Sequence, residues 1–360
     1  MGSFNVKILL LAIFLSSAFS LLSSSNSDVT TDCNSLITEL CDLTLTAGSL
    51  KVNNDTLVYY IYSKAGDLII QDDSYFFNSI PLIGINGGPG LSHDYLEPLR
   101  RIACLGIPLI LYDQIGTGNS TRVTDLKDFQ YLLTIEHYIE ELRTLINHLD
   151  LDKVHIMGHS WGTIVAQEFA ILQPKELIGL ILSGALSDSQ LYIDSQRRVN
   201  LAATLPHHVL EIIQKADETQ IYNSSEYLAV DNILTFFFTS RTIPIADCMV
   251  GSKEYGNNDI YVQMQGASEF TVGGVLANWN ITGKLHLIEA ETLVTRGEYD
   301  TMTEECSQTI INQLKNGRDL ITIPKSGHIQ MIDENEVYVN ELLNFIKSVE
   351  EKRKSNFLEK

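Results

Sequence analysis

Apolar residues in this chain fall into short continuous runs that alternate with longer, helix-like segments. The continuous runs are residues 80–85, 107–112, 153–157 and 177–182. The helix-like segments are residues 93–104, 134–149 and 161–172. Continuous apolar runs are typical of strands that are buried on both faces of a parallel sheet. The pattern therefore predicts an α/β fold with a mostly parallel, doubly wound sheet, preceded by a β-meander strand at residues 57–62.

The alternation breaks between Ser189 and Ala267. This segment is more polar and more helical than its flanks, is rich in aromatic residues and shows no regular exchange of strands and helices. The alternation resumes with a strand at 291–295, a helix at 304–315, a strand at 320–323 and a helix from about residue 334. We therefore predict a helical cap, residues 189–267, inserted into a core that comprises residues 21–188 and 268–360.

The first twenty residues have the features of a secretory signal peptide. Lys7 precedes the apolar run of residues 8–15, and Ala18-Phe-Ser20 resembles a cleavage site. The run is shorter than the roughly 20 residues that a membrane-spanning helix needs, and no later run is long enough. We expect a secreted, extracellular protein with no membrane attachment after signal cleavage. An uncleaved anchor or a buried N-terminal helix is the alternative.

Cysteines and glycosylation sequons agree with an oxidising compartment. Five cysteines follow the predicted signal peptide: Cys33, Cys41, Cys104, Cys248 and Cys306. They allow two disulfides with one thiol left over, and Cys33 with Cys41 is one possible pair, although spacing leaves the connectivity open. Sequons at Asn54, Asn223 and Asn280 predict a glycoprotein. Asn119 also matches, but we expect its loop to border the active site.

The charge balance limits the partners. The chain has 25 basic and 45 acidic side chains, for a formal net charge of −20. Phosphate recognition requires a basic patch, so we expect no nucleic-acid partner and attribute the acidity to solubility. No cysteine pair has the spacing of a metal finger, and we expect neither a metal nor a cofactor. The oligomeric state is left open.

The segment Gly158-His-Ser-Trp-Gly162 carries the strongest chemical signal. It follows the apolar strand at 153–157 and precedes the helix that begins near Trp161. A strand that ends in G-x-S-x-G and turns directly into a helix has the layout of a nucleophile elbow. The sequence therefore predicts that Ser160 is an exposed nucleophile at the end of a sheet strand.

A serine nucleophile needs a general base and an orienting acid, which follow it in the chain order Ser, Asp or Glu, His in an α/β-hydrolase fold. Beyond the cap, the histidines are His286 and His328. We predict His328 as the base because it lies in a glycine turn directly after a strand, whereas His286 has no obvious access. Asp300 follows the strand at 291–295 and is the predicted acid, with Asp188 and Glu298 as competitors.

The oxyanion of the reaction needs two positioned N–H donors. One is predicted to be the backbone N–H of Trp161, the residue after the nucleophile. The other is expected from the loop Asn86-Gly-Gly-Pro-Gly90, at Gly87 or Gly88. We assign Gly88 to the oxyanion and Gly87 to contact with the substrate. The loop that begins at Asp113 lacks the lysine of a phosphate loop and is predicted to border the site through hydrogen bonds.

Taken together, these motifs resemble the proline iminopeptidase (prolyl aminopeptidase) family of α/β-hydrolases. The matching segments are residues 86–95, 112–120, 158–162, 264–271 and 297–300. The resemblance implies that the enzyme removes a single N-terminal residue, often proline, from short peptides or amino-acid amides. It also implies Ser160, Asp300 and His328 as the catalytic triad. Some members of the family carry a second acidic residue after the triad aspartate, where this chain has Thr301.

The resemblance further implies that Glu269 binds the free α-amine of the substrate from the cap side. A buried carboxylate suits this role because it forms a charge-assisted hydrogen bond with an ammonium group. The resulting hypothesis is a secreted serine aminopeptidase or amidase that acts through an acyl-enzyme. The alternatives are a secreted carboxylic-ester hydrolase on the same fold and a non-catalytic binding relative.

Overall fold

The computed structural model describes residues 30–72, 74–202 and 205–358. The predicted signal peptide, residues 1–20, lies outside the described residues. Within them, no helix is both long enough and apolar enough to cross a membrane.

Eight strands of the described chain form one sheet, in the order β1-β2-β6-β5-β7-β8-β11-β12. The strands of the chain are β1 Thr44–Val52, β2 Asp55–Ser63, β3 Leu68–Gln71, β4 Ser74–Phe77, β5 Leu82–Ile85, β6 Leu109–Asp113, β7 Val154–His159, β8 Leu177–Ser183, β9 Gly266–Ser268, β10 Thr271–Val272, β11 Glu291–Gly297 and β12 Ile321–Ile323. β1 with β2 and β2 with β6 are antiparallel, while the pairs from β6 through β12 are parallel. The predicted mostly parallel sheet is confirmed.

Helices of the described residues connect the parallel strands, fill the segment between β8 and β9, and follow β12. They are α1 Arg101–Cys104, α2 Ile135–His148, α3 Trp161–Ile171, α4 Ser189–Ser195, α5 His207–Thr219, α6 Ser225–Leu234, α7 Asp247–Glu254, α8 Asn258–Met264, α9 Glu304–Gln313, α10 Gln330–Asp333 and α11 Asn335–Leu358. The continuous helix predicted at 93–104 is wrong. A 3₁₀ helix, His93–Arg100, precedes α1, and it contains Pro98, which has no backbone N–H to donate to an α-helical hydrogen bond.

The core explains the continuous apolar runs of the sequence. Successive residues of the central strands pack into different hydrophobic clusters: Ile83 and Ile156 belong to one, and their neighbours Leu82 and Met157 to the other. Side chains alternate between the faces of a strand, so each of these strands is buried on both faces. Helices cover the two faces, and the strand ends are left to form a site.

The segment predicted to be a cap contains helices α4 to α8. In the described residues it contributes no strand to the main sheet. It has a small hydrophobic cluster of its own, which includes Leu201, Ile213, Leu234 and Phe238. The predicted domain boundaries at residues 189 and 267 stay a prediction.

Two disulfides link distant parts of the chain, and the suggested pair of Cys33 with Cys41 is wrong. Cys33 is bonded to Cys248 and Cys41 to Cys104, while Cys306 is a buried free thiol. The observed pairing follows from tertiary contacts of the N-terminal residues. Thr31 forms backbone hydrogen bonds with Ile245 and Asp247, so the next residues run along α7, and Cys33 lies beside Cys248.

Candidate active site

The elbow at Ser160 has the geometry that its motif predicts. β7 ends at His159 and α3 begins at Trp161. Ser160, between them, has φ 54° and ψ −123°, which is a strained conformation for a residue with a side chain. Its N–H donates to the carbonyl oxygen of Ser183 over 3.0 Å. The sheet thus holds the serine in place at the end of a central strand.

The two glycines of the motif allow the strand and the helix to pack closely. A Cβ atom on Gly162 would lie 2.2 Å from the carbonyl oxygen of Ile85. A Cβ atom on Gly158 would lie 2.3 Å from the carbonyl oxygen of Gly162. Both distances are far below a van der Waals contact, and the obstructing atoms are backbone. Glycine is therefore required at both positions for this turn.

His328 and Asp300 form a buried pair. Nδ1 of His328 lies 2.7 Å from Oδ1 of Asp300, and both side chains are buried. The carboxylate also accepts hydrogen bonds from the N–H groups of Met302, at 2.8 Å, and Gly297, at 3.2 Å. Each residue stands in the loop after a parallel strand, β12 for His328 and β11 for Asp300. The orientation of the carboxylate is therefore set by the backbone.

The competitors named from the sequence lie elsewhere. Asp188 caps α4 by accepting hydrogen bonds from the N–H groups of Gln190 and Leu191. Glu298 is exposed and accepts a hydrogen bond from the N–H of Lys325. His286 is also exposed. Among these candidates, the structure brings together only Asp300 and His328.

Nε2 of His328 is free to face a nucleophile. It is buried and has no hydrogen-bond partner among the described residues. The ring lies 4.6 Å, between centroids, from the ring of His159, the residue directly before Ser160. Gly184 leaves room for it, because a Cβ atom there would lie 2.6 Å from Cε1 and Nδ1 of His328.

Burial and charge oppose each other at the His328–Asp300 pair. Burial disfavours the imidazolium, but the charge and hydrogen bond of Asp300 and the charge of Glu269 outweigh it and raise the pKa of His328 above 6.5. Burial likewise disfavours the carboxylate, but the His328 charge and hydrogen bond outweigh it and lower the pKa of Asp300 below 3.8. A base with a raised pKa beside an ionised acid is suited to accept a proton from a hydroxyl group.

The glycine loop lies against the nucleophile. A Cβ atom on Gly87 would lie 2.8 Å from Cβ of Ser160. The N–H of Gly87 already donates to the hydroxyl oxygen of Tyr95, at 2.5 Å. This bond leaves Gly88 as the glycine of the predicted pair whose N–H can serve an oxyanion. The first N–H groups of α3, including that of Trp161, have no partner within the helix.

Glu269 shares a cleft with Ser160. The lining of this narrow cleft includes Gly88, Ser160, Trp161 and Glu269. Glu269 lies between β9 and β10, and its Oε1 accepts a hydrogen bond of 2.8 Å from the hydroxyl of Tyr261. The carboxylate predicted to bind an amine therefore faces the same space as the predicted nucleophile.

Burial raises the pKa of Glu269 above 4.5. The charge of His328 and the hydrogen bond from Tyr261 act in the opposite direction, and the charge of Asp231 on α6 raises the pKa further. A cation that entered the cleft would relieve this unfavourable burial of negative charge. Asp231 was not found from the sequence, because its proximity to Glu269 depends on how the cap helices pack.

Thr301 belongs to a neutral network next to the acid. Its hydroxyl lies 3.0 Å from the hydroxyl of Tyr192 and accepts a hydrogen bond of 2.5 Å from the side-chain amide of Gln196. Tyr192 and Gln196 also donate to the backbone carbonyl of Glu269, at 2.7 and 2.9 Å. The network joins the loop of Asp300 to the loop of Glu269 without adding a charge.

Comparison with known proteins identifies relatives of this chain. The profile of the alpha/beta hydrolase fold family matches residues 80–228. The proline iminopeptidase of Saccharolobus solfataricus is 34% identical to this chain over 273 residues, which cover 74% of this chain and 85% of that protein. The proline iminopeptidase of Heyndrickxia coagulans is 34% identical over 270 residues, 75% of this chain and 91% of that protein. This chain belongs to the proline iminopeptidase family.

Solved structures agree on the fold of this proline iminopeptidase family member. The crystal structure of VinJ superposes with a TM-score of 0.76 at 24% identity, covering 84% of this chain and 99% of that one. The proline iminopeptidase of Mycobacterium smegmatis gives a TM-score of 0.73 at 22% identity, covering 84% and 98%. The family and the α/β-hydrolase fold that the motifs predicted are thus confirmed, whereas the roles of individual residues stay predictions.

The loop after β6 supports the site through hydrogen bonds in this member of the proline iminopeptidase family. The Gln114 amide donates to the backbone oxygen of Asn86 at 3.0 Å and accepts from Nε1 of Trp161 at 3.0 Å. Asp113 accepts from the N–H of Asn119 at 2.9 Å and lies 2.7 Å from Nδ1 of His93. Sequence reasoning anticipated hydrogen bonding by Asp113 but missed Gln114, which connects the oxyanion loop to the elbow.

One group of potential metal ligands occurs in the described residues, away from this cleft. The ligand atoms of Cys33, Asp247 and Cys248 lie within 4.8 Å of one another. Both sulfur atoms are joined in the disulfide, and Oδ1 of Asp247 accepts a hydrogen bond from the N–H of Cys33. These donors are therefore already engaged within the protein.

Proposed function

We propose that this member of the proline iminopeptidase family is a secreted serine aminopeptidase that releases a neutral N-terminal residue from short peptides or amino-acid amides. The observation that carries the proposal is the shared cleft of Ser160 and Glu269, beside the His328–Asp300 pair. A nucleophile and an amine-binding carboxylate in one narrow space suit an enzyme that acts on the first residue of a peptide. The named relatives are proline iminopeptidases, which supports the same substrate class.

The proposed reaction proceeds through an acyl-enzyme. The Ser160 oxygen attacks the carbonyl carbon of the first residue while its proton passes to Nε2 of His328. The carbonyl oxygen becomes an oxyanion, which accepts hydrogen bonds from the N–H groups of Gly88 and Trp161. The C–N bond breaks as His328 returns the proton to the leaving amine. Water then attacks the ester with His328 again as base, which frees the amino acid and Ser160.

Glu269 is proposed to hold the substrate ammonium group by a charge-assisted hydrogen bond. Gly87 contacts the substrate backbone beside it. The rest of the cleft is lined largely by apolar side chains, including those of Ile164, Leu186 and Leu276. An apolar lining favours a neutral first residue such as proline and disfavours a charged one.

Secretion is supported by the disulfides and by the exposure of three sequons. Two disulfides join Cys33 to Cys248 and Cys41 to Cys104, and such bonds persist in oxidising compartments. Asn54, Asn223 and Asn280 are exposed, as a glycan requires. Asn119 of the fourth sequon is exposed as well; its side-chain amide donates to the hydroxyl of Tyr60 at 2.7 Å, as that of Asn280 donates to Asp188 at 2.7 Å.

A fluorophosphonate probe and a panel of fluorogenic aminoacyl amides test the proposal. The wild-type protein should be labelled at Ser160 and should hydrolyse amides of neutral residues, whereas Ser160→Ala should lose labelling and about 10⁴-fold or more of the rate. Cleavage of acyl esters without cleavage of any aminoacyl amide would replace the proposal with a carboxylic-ester hydrolase. Absence of both labelling and hydrolysis in the folded protein would favour a binding protein.

A further inference from the structure

Three buried hydrogen bonds join the loop of residues 86–90, the oxyanion loop, to the loop that carries His328 after β12, the base loop. The N–H of Gly87 donates to the hydroxyl oxygen of Tyr95, at 2.5 Å. The same hydroxyl lies 2.8 Å from Nδ1 of His159, and Nε2 of His159 lies 3.0 Å from the backbone oxygen of His328. Tyr95, His159 and His328 are all at most 2% exposed. The connection therefore passes through the protein interior and includes His159, the residue directly before Ser160.

These three hydrogen bonds can run in only one direction. The carbonyl oxygen of His328 can only accept, so Nε2 of His159 carries the hydrogen. Nδ1 of a neutral His159 then accepts from the hydroxyl of Tyr95, and the Tyr95 oxygen accepts from Gly87. Every donor points towards the base loop, and hydrogen bonds aligned in this way strengthen one another.

His159 stays neutral throughout the reaction. Burial and the nearby charge of His328 lower the pKa of His159 to about 3. The imidazole therefore keeps the same hydrogen-bond pattern whether His328 is protonated or not. A phenyl ring would fill the same space without needing any hydrogen-bond partner, whereas the buried imidazole is bonded at both nitrogens.

We propose that Tyr95 and His159 are positioning residues that hold the oxyanion loop and the base loop at a fixed separation around Ser160. The Tyr95–His159 bridge touches no reacting atom. It acts by keeping the Gly88 N–H and Nε2 of His328 aligned with the same substrate carbonyl group, and small misalignments of this kind lower the rate steeply. The inference rests on the proposed function, since it assigns the bridge to that reaction.

The test uses Tyr95→Phe, His159→Phe and the double variant, with Tyr62→Phe as a matched control. Tyr62 is a buried tyrosine whose hydroxyl donates to Glu97 outside the site, at 2.8 Å. For each protein, kcat and KM are measured with an aminoacyl amide, and stability is measured by thermal unfolding. His159→Gln is added because its amide can accept from Tyr95 and donate to the His328 carbonyl.

Tyr95→Phe and His159→Phe should each lower kcat by about tenfold or more, with KM changed by less than about threefold. The double variant should be no slower than the slower single variant, because both substitutions break one chain of bonds. His159→Gln should recover part of the lost rate, and Tyr62→Phe should keep wild-type kcat.

Folded Tyr95→Phe and His159→Phe proteins with unchanged kcat, or with independent and additive losses, would overturn the bridge. If His159→Phe does not fold, Tyr95→Phe decides alone, since it removes a single oxygen atom. Failure of the bridge is distinguishable from failure of the proposed function. If only the bridge fails, the wild type hydrolyses the amide and the variants have the same kcat. If the proposed function fails, the wild type itself is inactive.

Discussion

For single residues, the charge of His328 and the charges of Asp300 and Glu269 shift each other's pKa. Glu269 and Asp300 both raise the pKa of His328 against the effect of burial. The pKa of Glu269 is itself raised, because its partial burial disfavours the negative charge. Substrate binding and proton transfer are therefore coupled, since the group proposed to hold the amine also tunes the base.

Replacing Glu269 with glutamine should shift the pH dependence. The negative charge of Glu269 raises the pKa of His328, so its removal lowers that pKa. The base must be neutral, so activity is lost as the pH falls through the pKa of His328. With an ester substrate that lacks an amine, the acid limb of kcat/KM in Glu269→Gln should move to lower pH. An acid limb that stays in place or moves to higher pH would contradict this coupling.

At the scale of elements, the sequence predicted the strands well because burial on both faces leaves continuous apolar runs. It also singled out Ser160, Asp300 and His328 as the candidate triad, since each follows a strand and the chain order restricts the choice, and their catalytic roles stay a prediction. It did not reveal the Tyr95–His159 bridge. Those partners lie 64 residues apart, and nothing in either local segment marks their contact. The 3₁₀ helix around Pro98 was missed for a simpler reason, because the helical pattern outweighed one proline.

The turn after β8 gives a prediction about how elements meet. Gly184→Ala should lower kcat by about tenfold or more, because its methyl group would push against the His328 ring. Gly106→Ala is the control. Both glycines have positive φ, 58° and 91°, but a Cβ atom on Gly106 would have no neighbour within 4 Å. Steady-state kinetics and urea unfolding separate the two effects. Equal kcat values in the two variants would contradict the role assigned to Gly184.

For the molecule as a whole, two disulfides join residues 33–41 both to the predicted cap and to the predicted core. Cys33 is bonded to Cys248 in α7, and Cys41 is bonded to Cys104 at the end of α1. The number of cysteines predicted two disulfides and one free thiol, but it did not predict which cysteines pair. Pairing depends on tertiary contacts, such as those of Thr31 with the chain before α7, that no local pattern encodes.

Loss of the longer-range disulfide should destabilise the protein. The Cys33–Cys248 bond closes a loop of 215 residues, so it restricts the unfolded chain strongly. Cys33→Ser combined with Cys248→Ser should lower the free energy of unfolding by about 2–4 kcal/mol. Reductant should lower the wild-type Tm and affect the double variant less. An unchanged Tm in the double variant under non-reducing conditions would show that the bond contributes no stability.

A prolyl fluorogenic amide and its N-acetylated form together test whether the enzyme recognises a free amine. The proposed site recognises a free amine through Glu269 and cleaves through Ser160. The wild type should hydrolyse the free-amine substrate and should lose about 10–100-fold or more in kcat/KM when the amine is acetylated, since a charge-assisted hydrogen bond is lost. Equal hydrolysis of the two substrates would contradict recognition of the free amine. Hydrolysis that persists undiminished in Ser160→Ala would contradict the role of Ser160 as nucleophile.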